Sequence, residues 1–282
     1  MDLSPQASDR RGRAYGYPPA MLLASLDGVL GAPGATTIPV TDEGLLRGDG
    51  VFEVVRLYDG VPFALDDHLA RLRRSADGMR LPVDLDALRA EIAALLAAAG
   101  PENGLLRLVA TRGGRRIAIV EALPARPASA RVAIVTYAPT RVLDNLKTLS
   151  YGGNMLAGRL AKEAGADEAL LVTPHGRVLE GPTWSFFWVA GGVLRTPPLE
   201  ERILASITRA RLLECCDVRE ETLVVDDLRG AEEAFIASTV REVMPISAID
   251  GVPLPAAPGP VTEAAHAALR SLVERELGAA LR

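Results

Sequence analysis

The chain reads as two α/β units joined by a short linker, with a crevice expected between them. Two observations predict this. Both halves alternate strand-like runs of β-branched and aliphatic residues with helical stripes of apolar residues at spacings of three and four. The stretch 138–146 (APTRVLDNL), carrying Pro139 and no regular period, separates them. At 282 residues the chain is long enough for about two domains with sizeable cores.

In the first half, strands are predicted over 21–29 and 51–58, where Val51, Val55 and Leu57 favour pleated structure. Asp59-Gly60 supplies a turn. Asp66 is placed to cap a helix whose Leu69, Leu72, Ala76 and Met79 form one apolar stripe. A second helix over 84–99 repeats the pattern with Leu85, Leu88, Ile92, Leu95 and Leu96, and Gly100-Pro101 ends it. Strands follow over 105–111, 116–123 and 131–138. In the second half, helices are predicted over 154–164, stopped by Gly165, over 207–216, and from Thr262 onward with Ala265, Leu269, Leu272 and Leu277 inward. Strands are predicted over 169–172, 185–190, 222–225 and 234–239. The expected organisation is a flexible extension over 1–20, a smaller domain over 21–137, a linker over 138–146 and a larger domain over 147–282.

Hydrophobic residues at 49% and charged residues at 24% describe a globular protein rather than a disordered one. A net charge of -5, with no basic block beyond Arg71, Arg73, Arg74 and Arg112, Arg115, Arg116, argues against nucleic acid and anionic membrane as partners. No apolar stretch approaches the roughly 20 residues of a membrane span. Residues 1–20 lack the apolar core of a signal peptide, so a cytoplasmic location is expected. Cys215 and Cys216 are adjacent and without metal-ligand spacing. They read as packing residues, and no metal site is expected.

Of 31 basic residues, only Lys147 and Lys162 are lysines. A guanidinium cannot serve as a Schiff-base amine, so these two positions carry weight. Lys147 stands among apolar neighbours, which would lower its proton affinity. Lys162, beside Arg159 and Glu163 on a helix, reads as a solvated ion-pair partner. Ser206 would cap a helix and aim the amides of Ile207 and Thr208 outward, as a phosphate site requires and as an ordinary capped helix also does. Ser238-Thr239 at a strand end offers a hydroxyl and an amide. Arg71, on the first helix, offers a fork of donors suited to a phosphate. Glu180 closes a strand, either to hold a ring nitrogen or as an edge charge.

Taken together, RGDGVFEVVRLYDG (47–60), DDHLARL (66–72), LKTLSY (146–151), AKEAGADEALLV (161–172), VLEG (178–181), LASITRARLLE (204–214) and FIASTVREVMPI (235–246) resemble the fold type IV pyridoxal-phosphate enzymes. That family holds branched-chain and D-amino-acid aminotransferases and aminodeoxychorismate lyases. The resemblance implies a smaller N-terminal α/β domain, a larger C-terminal α/β pseudo-barrel, and pyridoxal phosphate in the cleft between them. It makes Lys147 the Schiff-base lysine and acid/base and Glu180 the partner of the pyridine nitrogen. Arg71, Ile207, Thr208, Ser238 and Thr239 become the phosphate cup. It implies a homodimer, an α-amino acid and a 2-oxoacid as substrates, and ping-pong kinetics; a lyase or a non-catalytic cofactor-binding module would use the same cofactor residues. Glu53-Val54-Val55 is similar to the D-amino-acid branch, whereas branched-chain enzymes usually carry Gly at the position of Val54. Phe52 is expected to face substrate. Arg115 and Arg116 stand in for a carboxylate trap or form a solvated hairpin turn. Pro182, Trp184 and Ser185 depart from the family's usual small polar residues and asparagine, making the cofactor wall atypical.

Overall fold

The computed structural model describes residues 20–280, so the extension expected over 1–20 lies, but for its last residue, outside the described residues. Strands β1 (Met21–Leu26), β2 (Val29–Gly31), β3 (Gly50–Tyr58), β4 (Val61–Pro62), β5 (Gly104–Thr111) and β6 (Arg116–Ala122) form one antiparallel sheet in the order β2-β1-β6-β5-β3-β4. The strand expected over 21–29 is thus a hairpin, because Asp27 and Gly28 both take positive φ and reverse the chain.

Helices α1 (Glu43–Arg47), α2 (Leu65–Gly78) and α3 (Leu85–Ala99) belong to this half. Asp66 does not cap α2: the chain enters through Ala64 at φ 53, and Asp66 sits inside the first turn. Asp84 does cap α3, accepting a hydrogen bond from the Ala87 amide at 2.9 Å. Alternation along β3 divides its side chains. Val51, Val55 and Leu57 pack with Leu69, Leu72, Leu88, Ile92 and Leu95 of the helices, while Phe52 and Val54 face the opposite side. Fully burying each large aliphatic residue contributes about 1.5–3 kcal/mol, so this stripe is what holds the helices on the sheet.

The second sheet contains β7 (Ala130–Thr136), β8 (Glu168–Val172), β9 (Ser185–Ala190), β10 (Val193–Thr196), β11 (Val218–Glu220), β12 (Glu233–Ser238), β13 (Glu242–Ile249) and β14 (Val252–Pro253). Its order is β11-β10-β9-β12-β13-β7-β8, with β14 on β13. Residues 130–136, assigned by sequence to the first half, therefore lie in the second sheet, parallel to β13 and β8. The strand expected over 222–225 is absent: β11 lies earlier, Leu223 turns into the core, and Val225–Gly230 forms a 3-10 turn.

Trp184, Phe186 and Trp188 fill the core on one face of the second sheet with Ile236, Met244 and Ile246. On the other face Phe187 stacks on Phe235, with ring centroids 4.9 Å apart. That pair packs under α5 (Ile207–Cys215) and α6 (Pro260–Ala280) through Leu212, Leu269 and Val273. Helix α4 (Gly152–Glu163) covers the β7–β8 edge with Ala157 and Ala161. Cys215 and Cys216 are free thiols packed against the α5–α6 core. No described helix is long and apolar enough to cross a membrane.

Candidate active site

A cavity of about 780 Å³ opens between the sheets, lined by Phe52, Val54, Leu105, Arg107 and Val109 from the first and by Glu180, Ser185, Ser238 and Thr239 from the second half. The segment that carries Lys147 is stitched to β3. The Phe52 amide donates to the Lys147 carbonyl at 3.1 Å, and the Leu149 amide donates to the Gly50 carbonyl at 2.8 Å. The Lys147 amide donates to Ser75 Oγ of α2 at 3.1 Å. A side chain at Gly50 would lie 2.6 Å from the Ala110 carbonyl and from Leu149, so only glycine permits this approach.

Lys147 lines the cavity, with Nζ 4.4 Å from the centre of the Phe52 ring. Phe52 meets Tyr151 edge-on at 5.3 Å. Tyr151 donates to the Pro182 carbonyl, which also accepts from Asn154 Nδ2 at 3.1 Å. Burial and the neighbouring Arg71 cation lower the Lys147 amine to about 8, against partial opposition from Glu53 and Glu180. Burial raises Glu180 to about 7, although the Leu204 amide donates to its Oε1 at 2.9 Å and Lys147 opposes the rise. Residues 177–180 follow the turn at Thr173–Gly176 and run beside β8 through the Leu171 amide and carbonyl without forming a named strand.

Ser206 caps α5 as expected, accepting from the Arg209 amide at 3.2 Å, and leaves the first-turn amides of Ile207 and Thr208 for another acceptor. Ile207 and Thr208 share a small cavity of about 20 Å³ with Ser238, Thr239, His68 and Arg56. Arg71, 4% exposed, lines the main cavity and donates to the Ala205 carbonyl at 3.0 Å. Its Nε and Nη2 donate to the two oxygens of Glu53 at 2.6 and 2.7 Å. Phe52, Arg71, Lys147, Glu180, Ser238 and Thr239 thus meet in one cavity, and Ser238 and Thr239 also line the small neighbouring cavity of Ile207 and Thr208.

Arg115 and Arg116 do not join them. Arg115 pairs with Asp27 at 2.8 Å and Arg116 with Glu91 at 2.7 Å, and neither lines the cavity. Of the two expectations for this pair, a carboxylate trap or a hairpin turn, this placement matches the turn, since both are held at the β1–β2 hairpin and α3. The cavity instead presents Arg107, whose Nη2 donates to Glu121 at 3.0 Å, and Arg241, paired with Glu168. The sequence assigns no site role to Tyr151, Glu53 or His68, which the structure brings to the cavities or to Arg71. The spacing of Tyr151, four residues after Lys147, and the polar Glu53 within an apolar strand were the available signals.

The chemistry of the donor set fits pyridoxal phosphate. The Lys147 amine, the Glu180 carboxyl and the start of α5 at Ser206 face the same space, and Ser185 Oγ is buried on its wall with no hydrogen-bond partner among the described residues. Fold and site together define a pyridoxal-phosphate-dependent transaminase of fold type IV. Residues 50–249 match the model of the "Amino-transferase class IV" family, and the chain belongs to it. It is 36% identical to a putative branched-chain-amino-acid aminotransferase of Methanocaldococcus jannaschii over 239 residues, covering 76% of this chain and 83% of the relative. It is 32% identical to D-alanine aminotransferase of Bacillus licheniformis over 263 residues, covering 85% and 93%. The crystal structure of the branched-chain aminotransferase from Thermoproteus uzoniensis with norvaline superimposes with a TM-score of 0.82 at 30% identity, covering 90% of this chain and 95% of that one.

Proposed function

We propose that this aminotransferase moves an amino group between a small or apolar α-amino acid, D-configured or branched-chain, and a 2-oxoacid, with Lys147 as cofactor tether and proton carrier. The observation that carries the reading is the facing of Lys147 and Glu180 across one cavity whose far end is the start of α5. Pyridoxal phosphate bound there supplies an aldehyde that condenses with amines and a ring that draws electrons from the substrate α-carbon.

The chain's own residues do the rest. With its amine lowered to about 8, Lys147 holds roughly a tenth of its population neutral at pH 7, which makes Nζ a competent nucleophile and then a proton carrier. Glu180, fixed through Oε1 by the Leu204 amide, keeps Oε2 for a protonated ring nitrogen. Arg71, the amides of Ile207 and Thr208, Ser238 and Thr239 hold the phosphate. Phe52, Val54, Leu105, Val109, Met155 and Leu179 favour an apolar substrate side chain, and Arg107, held by Glu121 through Nε and Nη2, keeps Nη1 for a substrate carboxylate.

Exposed apolar residues on α1 (Leu45, Leu46) and α4 (Met155, Leu156, Leu160) support a homodimer, which sedimentation of the purified chain tests. The test of function is a panel of paired L- and D-amino acids scored by loss of the cofactor's absorbance, with borohydride fixation mapped by mass spectrometry. Fixation on Lys162, or no response to any amino donor, overturns the reading.

A further inference from the structure

His68 is buried at 1% exposure on the same face of α2 as Arg71, one turn earlier. Its Nδ1 lies 2.8 Å from Glu53 Oε2, the oxygen that also accepts from Arg71 Nη2. Arg71 holds Glu53 ionised, and an ionised carboxylate only accepts, so Nδ1 carries the hydrogen. Burial lowers the proton affinity of the ring, which leaves Nε2 as a bare lone pair. Among the described residues no group hydrogen-bonds Nε2. His68 lines the small cavity shared by Ile207, Thr208, Ser238 and Thr239, which is large enough for one water.

Four guanidinium cations, Arg56, Arg71, Arg126 and Arg270, surround this cavity against two carboxylates, Glu53 and Glu242. Glu53 neutralises Arg71. Glu242 at the start of β13 is met by Tyr58 and Arg270, with Arg126 and His266 beyond. Arg56 donates at 3.3 Å to the Val240 carbonyl and stands as the one cation on this side without a carboxylate hydrogen bond among the described residues. Lys147 lies on the opposite, main-cavity side and acts on the ring only through its field. α5 contributes Thr208 and the β12–β13 turn contributes Ser238 and Thr239, none of them charged. A phosphate dianion docked on α5 therefore about balances the local positive charge and sets its field beside the bare Nε2 lone pair. A unit charge within about 5 Å changes proton affinity by on the order of 100-fold at the effective dielectric of a protein.

We propose that His68 is a positioning residue of the phosphate seat that takes up a proton at Nε2 when the cofactor phosphate docks, directly or through the single cavity water. The proton comes from solvent, a new N–H bond forms at Nε2, and Glu53 stays bonded to Nδ1–H. Cofactor binding is then linked to the charge of a group that touches neither the pyridine ring nor Lys147. The inference rests on the cofactor placement given under Proposed function.

The chain has three histidines, so the full-length protein labelled with [15N]histidine gives a readable imidazole spectrum. At pH 7.5 the His68 pair, assigned by its loss in His68→Asn, is expected as one protonated and one bare nitrogen. Pyridoxal phosphate converts it to two protonated nitrogens, while pyridoxal without phosphate leaves it unchanged. Borohydride fixation of the same sample reports the reading beneath. Attachment at Lys147 with a neutral His68 overturns this inference alone, as does conversion by pyridoxal, and attachment elsewhere overturns both. If His68→Asn fails to fold, the pyridoxal and pyridoxal phosphate spectra of the native chain still decide.

Discussion

Glu53→Gln keeps the shape of a fully buried side chain and removes the charge that accepts two hydrogen bonds from Arg71 and one from His68. Burial raises the pKa of Glu53, but the Arg71 cation and the bonds from Arg71 and His68 outweigh it and hold the carboxyl at about 2 against 4.5. A difference of that size between folded and unfolded states corresponds to about 3 kcal/mol. Because the folded value is depressed, this stabilisation is complete above about pH 4.5 and is lost as pH falls toward 2. The amide also leaves the Arg71 guanidinium buried and unpaired, a change that costs about 3–5 kcal/mol when one partner of a buried pair is removed. For a chain of this size, melting is expected to fall by roughly 6–15 °C at neutral pH. At pH 3 the gap should narrow to about half. The assay is thermal unfolding of the cofactor-free chain, native and variant, at pH 7 and pH 3. A shift below about 2 °C, or one that does not depend on pH, refutes the account. Glu53→Gln combined with Arg71→Met should be less destabilising than the sum of the single changes by about 1 kcal/mol or more.

The rate at which the cofactor-free chain captures pyridoxal phosphate, followed by absorbance, should climb with pH through about 8 and then level, since only the neutral Lys147 amine attacks. A rate that stays flat from pH 6 to pH 9 contradicts this, and Lys147→Arg should show no capture at all. Arg107→Ala should raise the KM for the 2-oxoacid about ten- to a hundredfold, through loss of a charge-assisted contact, while Arg115→Ala stays within about twofold. Equal effects would return Arg115 to the site. Gly181→Ala places a methyl 1.9 Å from the Trp184 indole. It should lower stability by about 1–3 kcal/mol in urea unfolding and shift tryptophan emission, and an unchanged unfolding midpoint would show that Trp184 moves freely.

What was legible from sequence was set by local periodicity. The stripes of α2 and α3 and the alternation in β3 need only neighbouring residues to read, and both lie where expected. β13 is hard to read from sequence because Pro245, which cannot donate to a ladder, stands within it, paired with Phe235 in the sheet. Val224-Val225 suggested a strand by composition, whereas the strand that forms, Val218–Glu220, is chosen by its parallel pairing with β10. Lys147 and Glu180, which line the cavity, could be picked out through residue chemistry and motif order. Apart from Arg71, the arginines could not be sorted, because a guanidinium takes its role from whichever carboxylate the fold brings near. Arg115 meets Asp27 across 88 positions and Arg107 meets Glu121 across 14.

The same alternation that builds the first core also explains why the site sits between the sheets. Side chains of β3 at 51, 55 and 57 bury against α2, and Glu53 shares their face, so its charge has to be met from α2 by Arg71 and His68. Meeting it aims Arg71 so that its remaining Nη1 reaches the Ala205 carbonyl beside the start of α5. The opposite face of β3 offers Phe52, whose amide holds the Lys147 carbonyl and whose ring lies under Nζ. One strand thereby sets the position of the Lys147 amine through its outer face and of the Arg71 guanidinium through its inner face. A shift of β3 by one residue would exchange those faces, burying Phe52 where Glu53 stands and turning the carboxylate into the cavity beside Lys147.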